Sequence, residues 1–208
     1  MLRRALPVGL AAAALALVPA GASAAPGTGG GTGNATTSIS SSAYGDVTLP
    51  DGRTAQVSLG EFRAHDGWVG SVSVYLAPAP CTGWPCSASL ESGYAEVDAD
   101  DVTFDRDLGR AVAEDVPLVL SSWSWPSGST QREVTVDLVF TGTGRVDRDT
   151  YHGPCGDGSG GCKGVRIDAA RDADVVLTLD GAEAAGTGRI TRGFGVDVGA
   201  THRGDGEG

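Results

Sequence analysis

The feature that most constrains this fold is a period-two alternation of apolar and polar residues, which recurs from Ser38 onward. It is clearest over 57–59, 72–76 and 134–138, where valine or leucine occupies every second position. On a β-strand this spacing places one set of side chains on a single face of the sheet and the intervening polar residues on the other. Each run is therefore predicted to be a strand with one buried face.

Turn signals separate these runs. They are Pro50-Asp51-Gly52, His65-Asp66-Gly67, Pro126-Ser127-Gly128 and Asp180-Gly181. The runs amount to about ten short strands, which predicts an all-β, antiparallel β-sandwich, with a barrel-like arrangement as the alternative. Helical periodicity is weak throughout, and its nearest approach is the segment 106–114, where one short helix is the expectation.

The first 24 residues have the pattern of a secretory signal peptide. Arg3 and Arg4 precede an apolar run over 6–18, and Ala22-Ser23-Ala24 is a small-residue cleavage site. The apolar run is too short to span a bilayer. We therefore expect a secreted, extracellular protein without a membrane span. Its predicted parts are the signal peptide (1–24), a flexible Gly/Thr-rich leader (25–37), one all-β domain (38–200) and a disordered tail (201–208).

The chain is strongly acidic, with 15 basic and 26 acidic side chains and a formal net charge of -11. Phosphate backbones and anionic membrane surfaces repel such a chain, so neither nucleic acid nor a membrane is an expected partner. Lys163 is the only lysine and Asn34 the only asparagine. This bias is typical of proteins encoded by GC-rich bacterial genomes.

The four cysteines, an even number in an exported chain, are predicted to form disulfide bonds. Cys81 and Cys86 bracket one short loop, and Cys155 and Cys162 bracket another. Pairing within each loop is the favoured one of three connectivities. A zinc site that adds His152 is the alternative, although the cysteine spacings do not match the two-residue knuckles of most structural zinc sites.

Aromatic residues are the candidate ligand-binding groups. Trp123 and Trp125 lie two residues apart, so they project from one face of a strand, and Trp84 lies inside the first cysteine loop. Together with Tyr94, which stands near two glutamates, they are residue types that form sugar-stacking platforms or protein-binding patches. Burial in the core is the competing interpretation for Trp123 and Trp125, because large apolar side chains are usually buried.

Carboxylates supply two further hypotheses. Asp98, Asp100 and Asp101 form the densest acidic cluster and are a candidate Ca²⁺ site, with no other cofactor expected. The competing interpretation is solvated charge that discourages edge-to-edge strand pairing. Glu91 and Glu96, with Asp98 and Asp100, are the candidate acids of a hydrolase. Their spacing places the two glutamates on opposite faces of a strand, and no catalytic set is complete.

One internal echo is present. The segment 142–148, Gly-Thr-Gly-Arg-Val-Asp-Arg, matches 186–192, Gly-Thr-Gly-Arg-Ile-Thr-Arg, at five of seven positions. Both segments follow apolar runs, so they are interpreted as equivalent bends between strands.

The leading functional hypothesis is a secreted, non-enzymatic β-protein that binds an extracellular carbohydrate or protein through loops and exposed aromatic rings. The alternatives are a secreted carboxylate-dependent hydrolase and a structural component of the cell envelope. Each follows from export, from the all-β pattern and from the residue types above rather than from a complete motif.

Overall fold

The computed structural model describes residues 35–64, 67–78, 90–124, 128–154 and 162–199. These residues are almost entirely antiparallel β-sheet, as the alternation predicts. One 3₁₀ turn, Ala99–Asp101, interrupts the strands. The ten strands are β1 (Ala35–Thr48), β2 (Thr54–Ala64), β3 (Gly67–Leu76), β4 (Leu90–Asp98), β5 (Val102–Phe104), β6 (Arg110–Ser124), β7 (Gly128–Gly142), β8 (Asp147–Pro154), β9 (Cys162–Leu179) and β10 (Ala182–Gly199).

The strand pairings form a cycle. They run from β1 through β2, β3, β4, β6, β7, β9 and β10, and β10 pairs again with β1. Strand β5 adds to β6. Strand β9 is central, because one of its edges pairs with β10 along its whole length. Its other edge is shared between β7, which pairs with 173–179, and β8, which pairs with 163–170.

The core consists of the alternate residues that lie on one face of these strands. The three runs that define the sequence pattern are all buried at their apolar positions, which confirms the predicted strand faces. Phe140 is the largest fully buried side chain, and aliphatic residues from β1 to β10 pack with it. The outer face is polar and carries hydroxyl pairs between neighbouring strands, such as Ser58 with Ser73 at 2.7 Å.

A pair of opposed glycines lets β1 and β10 approach other strands closely. Gly45 on β1 lies directly opposite Gly188 on β10. A Cβ at Gly45 would stand 2.8 Å from Val175 Cγ2 of β9, and a Cβ at Gly188 would meet the carbonyl oxygen of Tyr44. The absence of side chains at both positions therefore allows Val175 to fill the core beside them.

Two predicted turns are confirmed, and one predicted element is wrong. Pro50-Asp51-Gly52 joins β1 to β2, with Gly52 at φ 83°. Asp180 and Gly181, both at positive φ, join β9 to β10 as the two central residues of a tight hairpin. No helix forms over 106–114. That segment is a turn followed by the start of β6, because pairing with β7 overrides its weak helical pattern.

Several expectations fall outside the described residues. The signal peptide, most of the leader and the predicted tail are among them, as are Cys81, Cys86 and Cys155. Only the backbone of Cys162 is described, so the disulfide-closed loops stay a prediction. Strand β1 begins at Ala35, three residues before the predicted start of the domain. No helix in the described ranges is long and apolar enough to cross a membrane.

Candidate functional site: an open face of the sheet

Four strands continue beyond the packed core at one end of the molecule. Strands β9 and β10 are each 18 residues long, and their far halves pair with β8 and with the start of β1. The last fully buried pair across β1 and β10 is Ala43 with Ile190. Alternation then carries the core-side face onward through five apolar residues, which we call the open face: Ile39, Val165, Ile167, Phe194 and Val196.

These five residues form one contiguous patch. Ile39, Phe194 and Ile167 lie directly opposite one another across β1, β10 and β9, and Val196 lies opposite Val165 in a row two residues further along. The side chains of Phe194 and Ile167 are each 39% exposed, and that of Val165 is 36% exposed. Trp68, on the core-side face of β3 at the same end, is 37% exposed. Trp68 is therefore not a buried core residue.

Basic side chains surround the open face. Arg148 of β8 and Arg192 of β10 lie on either side of Ala169 of β9, in the row that separates the open face from the core. Arg171 follows Ala169 by two residues on the same face, and Lys163 lies at the far end. Adjacent strands are about 4.8 Å apart, so the Cα atoms of Arg148 and Arg192 are separated by roughly 10 Å.

Acidic side chains on these strands lie on the other face. By register, every Asp and Glu of β8, β9 and β10 points outward: Asp147, Asp149, Asp168, Asp172, Asp174, Glu183 and Asp197. The outward arginines are paired with them. Arg166 contacts Asp168 at 2.9 Å, and Arg189 contacts Asp147 at 3.4 Å. The core-side face of these three strands thus carries bases and no acids, whereas the outer face carries both.

The core-side bases have no such partners within the part of the chain that the structure describes. All ion pairs there involve other arginines. The Nε atom of Arg171 is buried without a hydrogen-bond partner, and so is the hydroxyl of Ser41, which lies opposite Arg192. A carboxylate, Glu61, lies on β2 beyond Ser41. Buried polar atoms without partners are costly and rare, which makes this part of the core-side face unusual.

A cluster of ion pairs lies at the opposite end of the molecule. Glu91 of β4, whose side chain is 17% exposed, accepts hydrogen bonds from Arg53 at 2.9 Å and from Arg132 at 3.1 Å. Arg132 also contacts Asp180 at 3.0 Å, and Arg53 contacts Asp51 at 2.7 Å. A pocket of about 240 Å³ lies beside these groups. Each base is already neutralised by two carboxylates, so this cluster is built to stabilise the fold.

The structure separates the carboxylates considered for hydrolysis. Glu91 lies on the core side of β4 in the ion-pair cluster, whereas Glu96 is exposed on the outer side, as the spacing predicts. Tyr94 is 60% exposed, and its hydroxyl donates to Glu96 Oε1 at 3.4 Å. Partial burial of the ring, together with the Glu96 carboxylate, raises the pKa of Tyr94. The hydroxyl therefore remains a neutral donor at pH 7.

The structure describes only some of the other predicted site residues. Trp84 and Trp125 lie outside the described residues, and only the backbone of Trp123 is described, opposite Leu90 in the short β4–β6 pairing. Asp98 ends β4, and Asp100 and Asp101 lie in the 3₁₀ turn that follows it. Within the described ranges no three His, Cys, Asp or Glu side chains are grouped as a metal site would require. Calcium binding and the aromatic platform stay predictions.

His152, the possible extra zinc ligand, is exposed at the edge of the open face, opposite Val165. The open face could not be predicted from the sequence, because alternation assigns a residue to a face of the sheet without showing how far that face is covered.

Comparisons with protein-family models, with curated proteins and with solved structures gave no match.

Proposed function

We propose that the protein is a secreted, non-enzymatic β-protein whose role is to bind an extracellular ligand on the open face. The observation that carries this proposal is the continuation of the core-side face in apolar side chains, three of which, Val165, Ile167 and Phe194, are 36–39% exposed. Contiguous apolar patches on soluble proteins mark binding surfaces more often than scattered exposed residues do. The confinement of the acids of β8, β9 and β10 to the outer face is a second support.

For the architecture, the cyclic order of pairing favours the barrel-like alternative over a sandwich of two separate sheets. In a closed cycle the long strands β9 and β10 are held along both edges where they line the core. Their far halves then extend from a rigid base. A binding surface on such strands is positioned more accurately than one on loops.

The non-enzymatic part of the proposal rests on the carboxylates. Glu91 and Glu96 face opposite sides of β4, and Glu91 is held by two arginines. Neither arrangement suits a pair of acids that must flank one bond.

Binding of an uncharged apolar dye, N-phenyl-1-naphthylamine, tests the proposal. We expect its fluorescence to rise on titration with the protein and to saturate. Val165→Ser should weaken this binding severalfold. Val119→Ser is the matched control, because Val119 is 45% exposed on the outer side of β6, a strand that carries no residue of the open face.

Equal loss of dye binding in both variants, or no saturable binding by the unaltered protein, would contradict the proposal. Thermal unfolding of both variants separates lost binding from lost folding. Retention on insoluble polysaccharide that Tyr94→Ala abolishes and Val165→Ser leaves intact would instead support the carbohydrate hypothesis.

A further inference from the structure

We infer that the ligand of the open face is a free single-chain amphiphile with an anionic head group, of the fatty-acid type. This inference rests on the proposed function, since it specifies the ligand of the same surface. The head group would lie against Arg148 and Arg192, and the apolar chain would lie along β9 and β10 toward Lys163.

The position of the bases defines where the head group binds. Arg148 and Arg192 flank the small residue Ala169 on the core-side face of the sheet. Arg171 adds a third positive charge on the core side of Ala169, where its Nε is buried beside Gly142 of β7. Guanidinium groups bind carboxylates through two parallel hydrogen bonds, and such charge-assisted bonds are stronger than neutral ones.

The apolar residues define where the chain lies. From Ala169 to Lys163 the strand advances six residues, which is about 20 Å. Ile167 and Val165 occupy this path on β9, and Phe194 and Val196 lie beside them on β10. The patch is therefore a long apolar strip with bases at its core end, which is the complement of an anionic amphiphile.

Two other anionic ligands fit less well. Nucleic acid would place its charged backbone on a strip of aliphatic side chains, and the net charge of -11 opposes it. An anionic bilayer meets the same repulsion. Immersion of the open face would also carry Lys163, and Asp197 on the reverse side of β10, toward the hydrocarbon, where charge is costly.

Calorimetric titration with three ligands of equal chain length, below their micelle concentrations, tests the inference. They are decanoate, decanol and decyltrimethylammonium. We expect decanoate to bind about tenfold more tightly than decanol, and the cation to bind most weakly. Octanoate, decanoate and dodecanoate should gain roughly fourfold in affinity for each added CH₂ that the strip covers.

Two double variants test whether Arg148 and Arg192 cause the preference for decanoate. Arg148→Gln with Arg192→Gln should abolish the preference for decanoate over decanol. Arg166→Gln with Arg189→Gln removes the same net charge from the outer face, and it should leave the preference intact. Thermal unfolding confirms that both variants are folded.

The outcomes are distinguishable. If decanol and decanoate bind equally to the unaltered protein, the head-group inference is overturned and the proposed binding function stands. If neither ligand binds and the dye does not bind, both fail. If the preference is lost equally in the two double variants, it reflects net charge alone, and the assigned arginines are wrong. Binding to anionic vesicles without binding of free decanoate would overturn the choice of a free amphiphile.

Discussion

The open face predicts a sharp difference in stability between two phenylalanines. Phe140 is fully buried in the core, whereas Phe194 is 39% exposed on the open face. Phe140→Ala should cost about 3–5 kcal/mol, because it removes apolar contacts and leaves a closed cavity. For Phe194 the covered fraction is 100% minus 39%, or 61%. Complete burial of such a side chain is worth about 1.5–3 kcal/mol, so Phe194→Ala should cost about 1–2 kcal/mol.

The two substitutions change the same atoms on β-strands, so the difference between them reports burial. Equilibrium unfolding in urea, followed by circular dichroism, measures both free energies. We expect Phe140→Ala to be less stable than Phe194→Ala by roughly 2–3 kcal/mol. Equal losses would refute the reasoning, since they would mean that Phe194 is covered as completely as Phe140 and that no open face exists.

Three further predictions concern the packing of β4 against β6 and the ion-pair cluster around Glu91. Gly93→Ala should cost about 1–3 kcal/mol in urea unfolding, because its Cβ would meet the side chain of Leu118 and stand 2.8 Å from a carbonyl oxygen of β6. Glu91→Gln should cost about 1–3 kcal/mol in urea unfolding, because Arg53 and Arg132 lose a mostly buried carboxylate partner. Asp51 accepts a backbone hydrogen bond, which holds its pKa below the ordinary 3.8. Its stabilising contribution is therefore present above that value and lost as the pH falls through the folded-state pKa, so the melting temperatures of the unaltered protein and Asp51→Asn should converge in acid. A constant difference from pH 6 to pH 2.5 would contradict this.

Local pattern was sufficient to predict the strands and their faces. In β9 the alternate residues Val165, Ile167, Val175 and Leu177 fall on one side, as their spacing indicates. Their burial could not be predicted, because it depends on which distant strands lie above them. Val175 and Leu177 are fully buried in the core, whereas Val165 and Ile167 are 36% and 39% exposed.

The internal echo illustrates the same limit. Its interpretation as two equivalent bends is wrong, because 186–192 runs uninterrupted within β10, whereas 142–148 spans the break between β7 and β8. Its last residues are nevertheless equivalent in space. Arg148 and Arg192 both lie opposite Ala169, one on each side. The echo did not by itself indicate that these arginines form a site; only the register of β9 with both neighbours relates them.

The most direct test of the central claim is the location of ligand binding by nuclear magnetic resonance. Decanoate would be titrated, below its micelle concentration, into isotope-labelled protein while backbone amide shifts are recorded. We predict that the largest changes centre on Val165, Ile167, Arg192 and Phe194. Changes centred on Tyr94 or on the ion-pair cluster around Glu91, or no saturable change at all, would contradict the assignment of the open face as the binding site.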